Sequence, residues 1–113
     1  MSRSWELFLQ DIEEAALKVE RRTRDVSFDE FVANDVLYDA VVRNLEVIGE
    51  AVKGIPADVR ERAPGIDWRR IAGLRDVLAH AYFAIDDATL WDIVPNKIPE
   101  LVRHMSRLRQ PTV

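Results

Sequence analysis

The residues from Arg75 to Tyr82 bring a guanidinium, a carboxylate, an imidazole and a phenol together, which no other stretch of the chain does. An imidazole titrates near neutral pH, so His80 can accept or deliver a proton. The guanidinium of Arg75 can hold a phosphate through two donors and stabilise charge that develops on it. These residue types suit acid–base chemistry at a phosphate.

A helix over residues 67–85 is predicted to carry these side chains. Pro64-Gly65 is a turn signal, and Asp67 is a suitable N-cap. Apolar residues then recur every three or four positions, which predicts one buried face: Ile71, Leu74, Val77, Leu78, Ala81 and Ile85. Asp76 and His80 are four residues apart on the opposite face, so Asp76 could accept a hydrogen bond from the imidazole and orient it.

Arg75 and His80 do not share a face of this helix, because five residues correspond to about 140° of rotation. Both can act on one atom only if the arginine side chain wraps around, if the helix is distorted, or if one group comes from another subunit. The face around His80 also carries small residues and an uncovered aromatic residue: Ala72, Gly73, Ala79 and Phe83. This pattern favours contact with another helix, such as a copy of itself across a two-fold axis.

Other chemistries fit the sequence poorly. His80 and His104 are far apart and cysteine is absent, so we expect no metal site. The few serines lie near termini or caps, and no glycine-rich loop is present to cradle a phosphate. RNA carries its own nucleophile, the 2′-hydroxyl. A histidine and an arginine could therefore cleave it without a metal or a cofactor, and this route would leave a 2′,3′-cyclic phosphate.

Composition predicts a single domain spanning residues 1–113, with 48% hydrophobic residues available for one core. No apolar run is long enough for a transmembrane helix, and residues 1–6 show no signal-peptide core. The absence of cysteine fits a cytoplasmic location. A net charge of −4 argues against broad electrostatic binding to nucleic acid, but it permits a local basic cleft formed by Arg69, Arg70 and Arg75.

The pattern along the chain predicts an all-α, antiparallel bundle of four to five helices. Long helices are expected over residues 5–24, 35–53 and 67–85, with Gly54 as a C-cap of the second. Ser27 and Glu30 form a predicted capping box at the start of a short turn, which Phe31 and Val32 should anchor. A last helical region opens at Asp86 and is kinked or divided at two prolines, Pro95 and Pro99.

The spacing of Arg75, His80 and Tyr82 resembles that of the HEPN superfamily (higher eukaryotes and prokaryotes nucleotide-binding). Within it, the chain is similar to the small HepT-type toxins, which are paired with a minimal nucleotidyltransferase antitoxin. The resemblance extends over residues 5–108, and Asp76 stands where Asn is a common alternative. Its further supporting segments are Arg43–Ala51, Ile66–Trp68, Ile85-Asp86 and Leu90–Ile93.

This resemblance implies a cytoplasmic, metal-independent endoribonuclease toxin that dimerises through the motif helix. The active site would form at a homodimer cleft, with Arg75 and His80 acting on RNA and Asp76 orienting His80. In the family, the tyrosine that matches Tyr82 can be adenylylated by the antitoxin, which silences the toxin.

Plainer interpretations exist for the same residues. His80 could make only a structural hydrogen bond to Asp76, Arg75 could pair with an acid of a neighbouring helix, and Tyr82 could be a half-buried aromatic residue. The alternative function is a non-catalytic helical subunit that docks on a nucleotidyltransferase. Such a subunit would keep the bundle and the dimer, but it would not need His80.

Overall fold

The computed structural model describes residues 4–80 and 86–109, and within these ranges it does not describe the side chains of residues 74–77, 79, 80 and 109. The described chain is helical and contains no strand. Its helices are α1 (Trp5–Thr23), α2 (Phe28–Ala33), α3 (Asp35–Val52), α4 (Ala57–Arg60), α5 (Trp68–His80), α6 (Asp87–Asn96) and α7 (Ile98–Arg109). The predicted all-α fold is confirmed, and α2 is the short turn expected after the Ser27–Glu30 capping box.

Local caps set most of the helix starts. Ser27 and Glu30 form the predicted capping box, since the Ser27 hydroxyl accepts from the Glu30 amide at 3.1 Å and the Glu30 carboxylate accepts from the Ser27 amide at 3.1 Å. Asn34 caps α3 by accepting from the Leu37 amide at 3.0 Å. Asp67 and Asp86 cap α5 and α6 in the same way. Side chains three residues from their partners therefore satisfy amides that the first helical turn leaves unpaired.

The four longest helices are arranged around one apolar core. Helix α1 packs against α3 on one side and α7 on the other, and α3 packs in turn against α5. The apolar stripes of α1 and α3 supply much of the core, including Leu9, Ile12, Val41, Leu45 and Val52. Contact between α5 and α7 is slight among the described residues. Among the described residues, the bundle is therefore closed along three of its helix–helix seams and open along the fourth, between α5 and α7.

Gly54 follows α3, but it does not terminate the helix by adopting a left-handed conformation. The described glycines have no positive φ, and the C-cap Lys53 is right-handed. A Cβ at Gly54 would instead collide with the ring of Phe8 from α1. This close approach of Phe8 requires a glycine at position 54. The predicted role of Gly54 as a C-cap is wrong, because Lys53 is the C-cap.

Two predictions about packing need correction. Val32 does not anchor α2 with Phe31, because Val32 is 38% exposed while Phe31 is fully buried. Ala72 was expected on the polar face of the motif helix, yet it packs against the core. Both residues lie at the boundary of an apolar stripe, where spacing alone does not decide which side is buried.

The prolines divide the last helical region as expected. Pro95 lies in the final turn of α6, and Pro99 is the second residue of α7. Backbone amides in the first turn of a helix have no partner within the helix, so a proline there removes no hydrogen bond. Within residues 4–80 and 86–109, no helix is long and apolar enough to cross a membrane.

Candidate functional site

Helix α5 carries the predicted catalytic residues, and its first turn is firmly anchored. Trp68 is 8% exposed, and its indole N–H is shared between the carbonyl oxygens of Arg60 (3.1 Å) and Ala63 (3.2 Å). Arg60 in turn donates to the carbonyl oxygens of Val52 (2.8 Å) and Ile55 (2.9 Å) after the end of α3. The loop between α3 and α5 is therefore tied to both helices, which fixes where α5 begins.

The structure describes the backbone of Arg75, Asp76 and His80, all in α5, but not their side chains. The backbone is regular α-helix across this segment. Asp76 and His80 are one turn apart by register, while Arg75 and His80 are separated by about 140° around the axis. Tyr82 falls in residues 81–85, outside the described residues.

The register of α5 also relates these positions to the core. Leu78 is buried at 3% exposure and Ala72 packs against the core. Position 75 is three residues from each and about 60° around the axis from both, so by register it lies between them on the core-facing side of α5. Positions 76 and 80 instead continue the outward stripe that begins with Arg69 and Gly73, because successive spacings of four, three and four keep to one face.

A groove lies along the open seam of the bundle, where α5 faces α6 and α7. It has a volume of about 900 Å³. Four helices contribute apolar side chains to it: Leu45 and Ile48 from α3, Ile71 from α5, Ile93 from α6, and Leu101 from α7. This is within the size range of small-ligand sites, which are roughly 300–1,000 Å³.

Charged side chains surround this apolar floor. Arg69 and Arg70, two of the three arginines of the predicted basic cleft, line it from α5, while the side chain of Arg75 lies outside the described residues. Three further lining residues were not indicated by the sequence: Asp92, Lys97 and the imidazole of His104. His104 is half-buried, pairs with Glu100 at 3.8 Å, and lies 3.5 Å from the position that a Cβ would take at Gly65. These residues come from separate helices, so no local sequence pattern could have grouped them.

Gly73 is a helical glycine at the edge of the groove. A Cβ built there would meet no atom of the described residues within 4 Å, so their packing does not require a glycine. Glycine inside a helix costs about 1 kcal/mol relative to alanine. Glycine therefore leaves open space at this position but makes the helix less stable than alanine would.

An all-helical bundle with an Arg-x4-His motif on one of its long helices has the architecture of the HEPN superfamily. Comparison with known proteins is more specific. Residues 12–108 match the family model described as "Ribonuclease HepT-like". The chain therefore belongs to the ribonuclease HepT-like family.

Relatives of similar length support this assignment. The chain is 43% identical over 110 residues to a "Probable ribonuclease HepT" of Thermococcus cleftensis, which covers 97% of this chain and 100% of the relative. A "Putative RNase" of Methanocaldococcus jannaschii is 42% identical over 106 residues, covering 94% of this chain and 88% of the relative. Another protein of that description, from Caldanaerobacter subterraneus, is 42% identical over 89 residues, with 79% and 80% covered. No solved structure matches the chain.

Proposed function

We propose that the protein is a metal-independent endoribonuclease that uses Arg75 and His80. The observation that carries this proposal is the Arg-x4-His motif on α5 in a chain of the ribonuclease HepT-like family. An imidazole and a guanidinium are the groups that cleavage by the RNA's own 2′-hydroxyl requires.

The chemical step transfers the phosphodiester within the RNA. The 2′-oxygen loses its proton and bonds to phosphorus, the bond from phosphorus to the 5′-oxygen breaks, and the departing oxygen gains a proton. His80 exchanges protons with one of these two oxygens, and Asp76 orients its ring. Arg75 holds the non-bridging oxygens and stabilises the charge that develops on them. The products are a 2′,3′-cyclic phosphate and a free 5′-hydroxyl.

The helix geometry supports an active site shared between two copies of the chain. Because α5 is a regular helix, distortion of the helix does not bring Arg75 and His80 onto one face. About 140° of rotation still separates them. In a two-fold dimer through α5, Arg75 of one copy can act beside His80 of the other, and the cleft would take an RNA strand across the interface.

Mixing two inactive variants tests this arrangement. Arg75→Ala and His80→Ala should each abolish cleavage of a labelled RNA. After the two are unfolded and refolded together, random pairing should restore about a quarter of wild-type activity, since half of the dimers are mixed and each has one intact composite site. No recovery, with mixed dimers confirmed by native mass spectrometry, would contradict a shared site.

We extend the proposal to a toxin that acts on cytoplasmic RNA and is silenced by a minimal nucleotidyltransferase antitoxin. Tyr82 would be the adenylylated residue. It is seven residues from Arg75, two helical turns if α5 continues, so a phosphate added there would compete for that guanidinium. Overexpression should arrest growth in a His80-dependent manner. Co-expression with the antitoxin should relieve the arrest and add an adenylyl mass to Tyr82, and relief with Tyr82 unmodified would refute this extension.

A further inference from the structure

The groove between α5, α6 and α7 has the features of a binding site that the catalytic motif does not use. Its floor is apolar, its rim is charged, and it is large enough for a nucleotide at about 900 Å³. We propose that this groove is a subsite for one nucleotide of single-stranded RNA, an inference that rests on the proposed ribonuclease function. The base enters the apolar floor and an adjoining phosphate contacts Arg69 and Lys97.

Gly73 lines the groove and leaves space unfilled. Among the described residues, no atom lies within 4 Å of the position that a Cβ would take there. Alanine would also stabilise the helix. A glycine that internal packing does not require permits close approach of something outside the chain to the backbone of α5.

The charges on the rim favour an anionic ligand. The rim acids have partners close by in the chain: Asp67 caps α5 and pairs with Arg70 at 3.8 Å, Asp92 accepts from the side-chain amide of Asn96 at 2.6 Å, and Glu100 lies 3.8 Å from the imidazole of His104. Arg69 and Lys97 are exposed, and neither forms an ion pair within the part of the chain that the structure describes. These two cations beside an apolar floor match a phosphate joined to a planar base.

The half-buried imidazole of His104 provides a ring on this floor. Histidine is among the side chains on which unstacked RNA bases stack. Gly65 lies beside the ring, and a carboxylate oxygen of Glu100 is 3.8 Å from its Nε2. These neighbours restrict the imidazole before any ligand arrives, which lowers the entropic cost of binding.

The groove is also continuous with the motif. Arg69 and Gly73 share the outward stripe of α5 with positions 76 and 80. Seven residues from Gly73 to His80 span about 10 Å along the helix. One RNA strand can therefore occupy the groove while a neighbouring phosphodiester lies at His80. We expect the proposed dimer contact around His80 to leave the groove itself open, because docking of a second copy in the groove would bury the charged rim.

A probe that cannot be cleaved tests binding separately from catalysis. Fluorescein-labelled 2′-O-methyl oligoribonucleotides lack the attacking hydroxyl, so their affinity reports RNA binding without cleavage. We expect Arg69→Gln with Lys97→Gln to weaken binding about tenfold and to reduce the slope of log affinity against log salt by about 0.7, since the two cations hold one phosphate and each single-strand phosphate contact contributes about 0.7. Gly73→Leu should fill the groove and weaken binding similarly, with no loss of thermal stability.

The matched control is Lys18→Gln with Arg22→Gln, which removes the same charge from exposed positions of α1, a helix that does not line the groove. Its affinity should stay within about twofold of wild type, with the salt slope unchanged. An equal loss in the control, or wild-type binding by the groove variants, would overturn the proposal. Dissociation of an oligomer by Gly73→Leu at unchanged probe affinity would also overturn it, in favour of a second copy.

The subsite and the proposed function can fail independently. If wild type binds the probe with the expected salt dependence, the groove variants bind it more weakly, and wild type cleaves no RNA, the ribonuclease proposal fails and the subsite proposal stands. If wild type cleaves RNA while the groove variants bind the probe as wild type does, the subsite proposal fails and the ribonuclease proposal stands.

Discussion

The hydroxyl of Tyr38 on α3 donates a hydrogen bond to the carboxylate of Asp87 at the start of α6, with 2.9 Å between the two oxygens. The two residues are 49 positions apart in the chain. Their bond joins the helix at the centre of the bundle to the helix that forms one wall of the groove. The adjacent residue Asp86 has a different structural role: it caps α6 by accepting a hydrogen bond from the Thr89 backbone amide at 2.8 Å.

Removing the hydroxyl should loosen the attachment of α6. Tyr38→Phe keeps the ring that stacks on Phe31 at 5.0 Å but leaves Asp87 without this donor. We expect a loss of about 1 kcal/mol in the free energy of unfolding, measured by denaturant titration, because a net hydrogen bond contributes roughly that much. Stability equal to that of wild type would show that water replaces the hydroxyl without cost.

Two phenylalanines of α2 offer a matched pair. Phe31 is fully buried and its ring lies 4.7 Å from that of Trp91 on α6, whereas Phe28 is 38% exposed. Phe31→Ala should lower the free energy of unfolding by about 3–5 kcal/mol, because it removes a large core side chain and leaves a cavity. Phe28→Ala should lower it by less than about 1 kcal/mol. Similar losses for both would contradict the described docking of α2.

Two glycines offer a second pair with effects of opposite sign. Gly54→Ala forces a methyl group against the Phe8 ring and should cost about 1–3 kcal/mol through overpacking. Gly73→Ala meets no atom of the described residues and should stabilise the protein by up to about 1 kcal/mol through helix propensity. Chemical denaturation of both variants decides this, and a stabilised Gly54→Ala would show that Phe8 does not occupy that space.

The cap at Asp86 makes a pH-dependent contribution. Hydrogen bonds from the Thr89 amide and then the Thr89 hydroxyl hold the pKa of this carboxyl below its usual value of 3.8. A lowered pKa in the folded state stabilises the protein at pH values above the ordinary carboxyl titration, and this contribution is lost as pH falls through the folded value. Asp86→Asn should therefore melt below wild type at neutral pH, and the difference should shrink in acid. A difference that grows in acid would contradict the sign.

The fold was largely predictable because its determinants are local. The Ser27–Glu30 box and the caps at Asn34, Asp67 and Asp86 act across three residues, and the apolar stripes of α1 and α3 repeat with the helical period. Residue spacing does not predict a feature that depends on a side chain far away in the chain. Gly54 looks like a helix stop in sequence, but Phe8, far away in the chain, explains it.

The candidate site was predictable only along one helix. The motif and the arginines at 69 and 70 share α5, so their register could be worked out from spacing alone. Lys97 and His104 join the groove through the packing of α6 and α7, which no local pattern encodes. Asp86 and Asp87 look equivalent in sequence, yet only the structure separates a cap from a tertiary hydrogen bond.

The most direct test of the ribonuclease proposal is cleavage of an end-labelled RNA in chelator by wild type and by His80→Ala, with circular dichroism confirming that the variant folds. We predict that wild type alone cleaves, that its products end in a 2′,3′-cyclic phosphate, and that a single 2′-deoxy substitution at the cleaved position stops the reaction. Equal cleavage by the variant, or cleavage of the 2′-deoxy substrate at the same bond, would contradict the proposed chemistry.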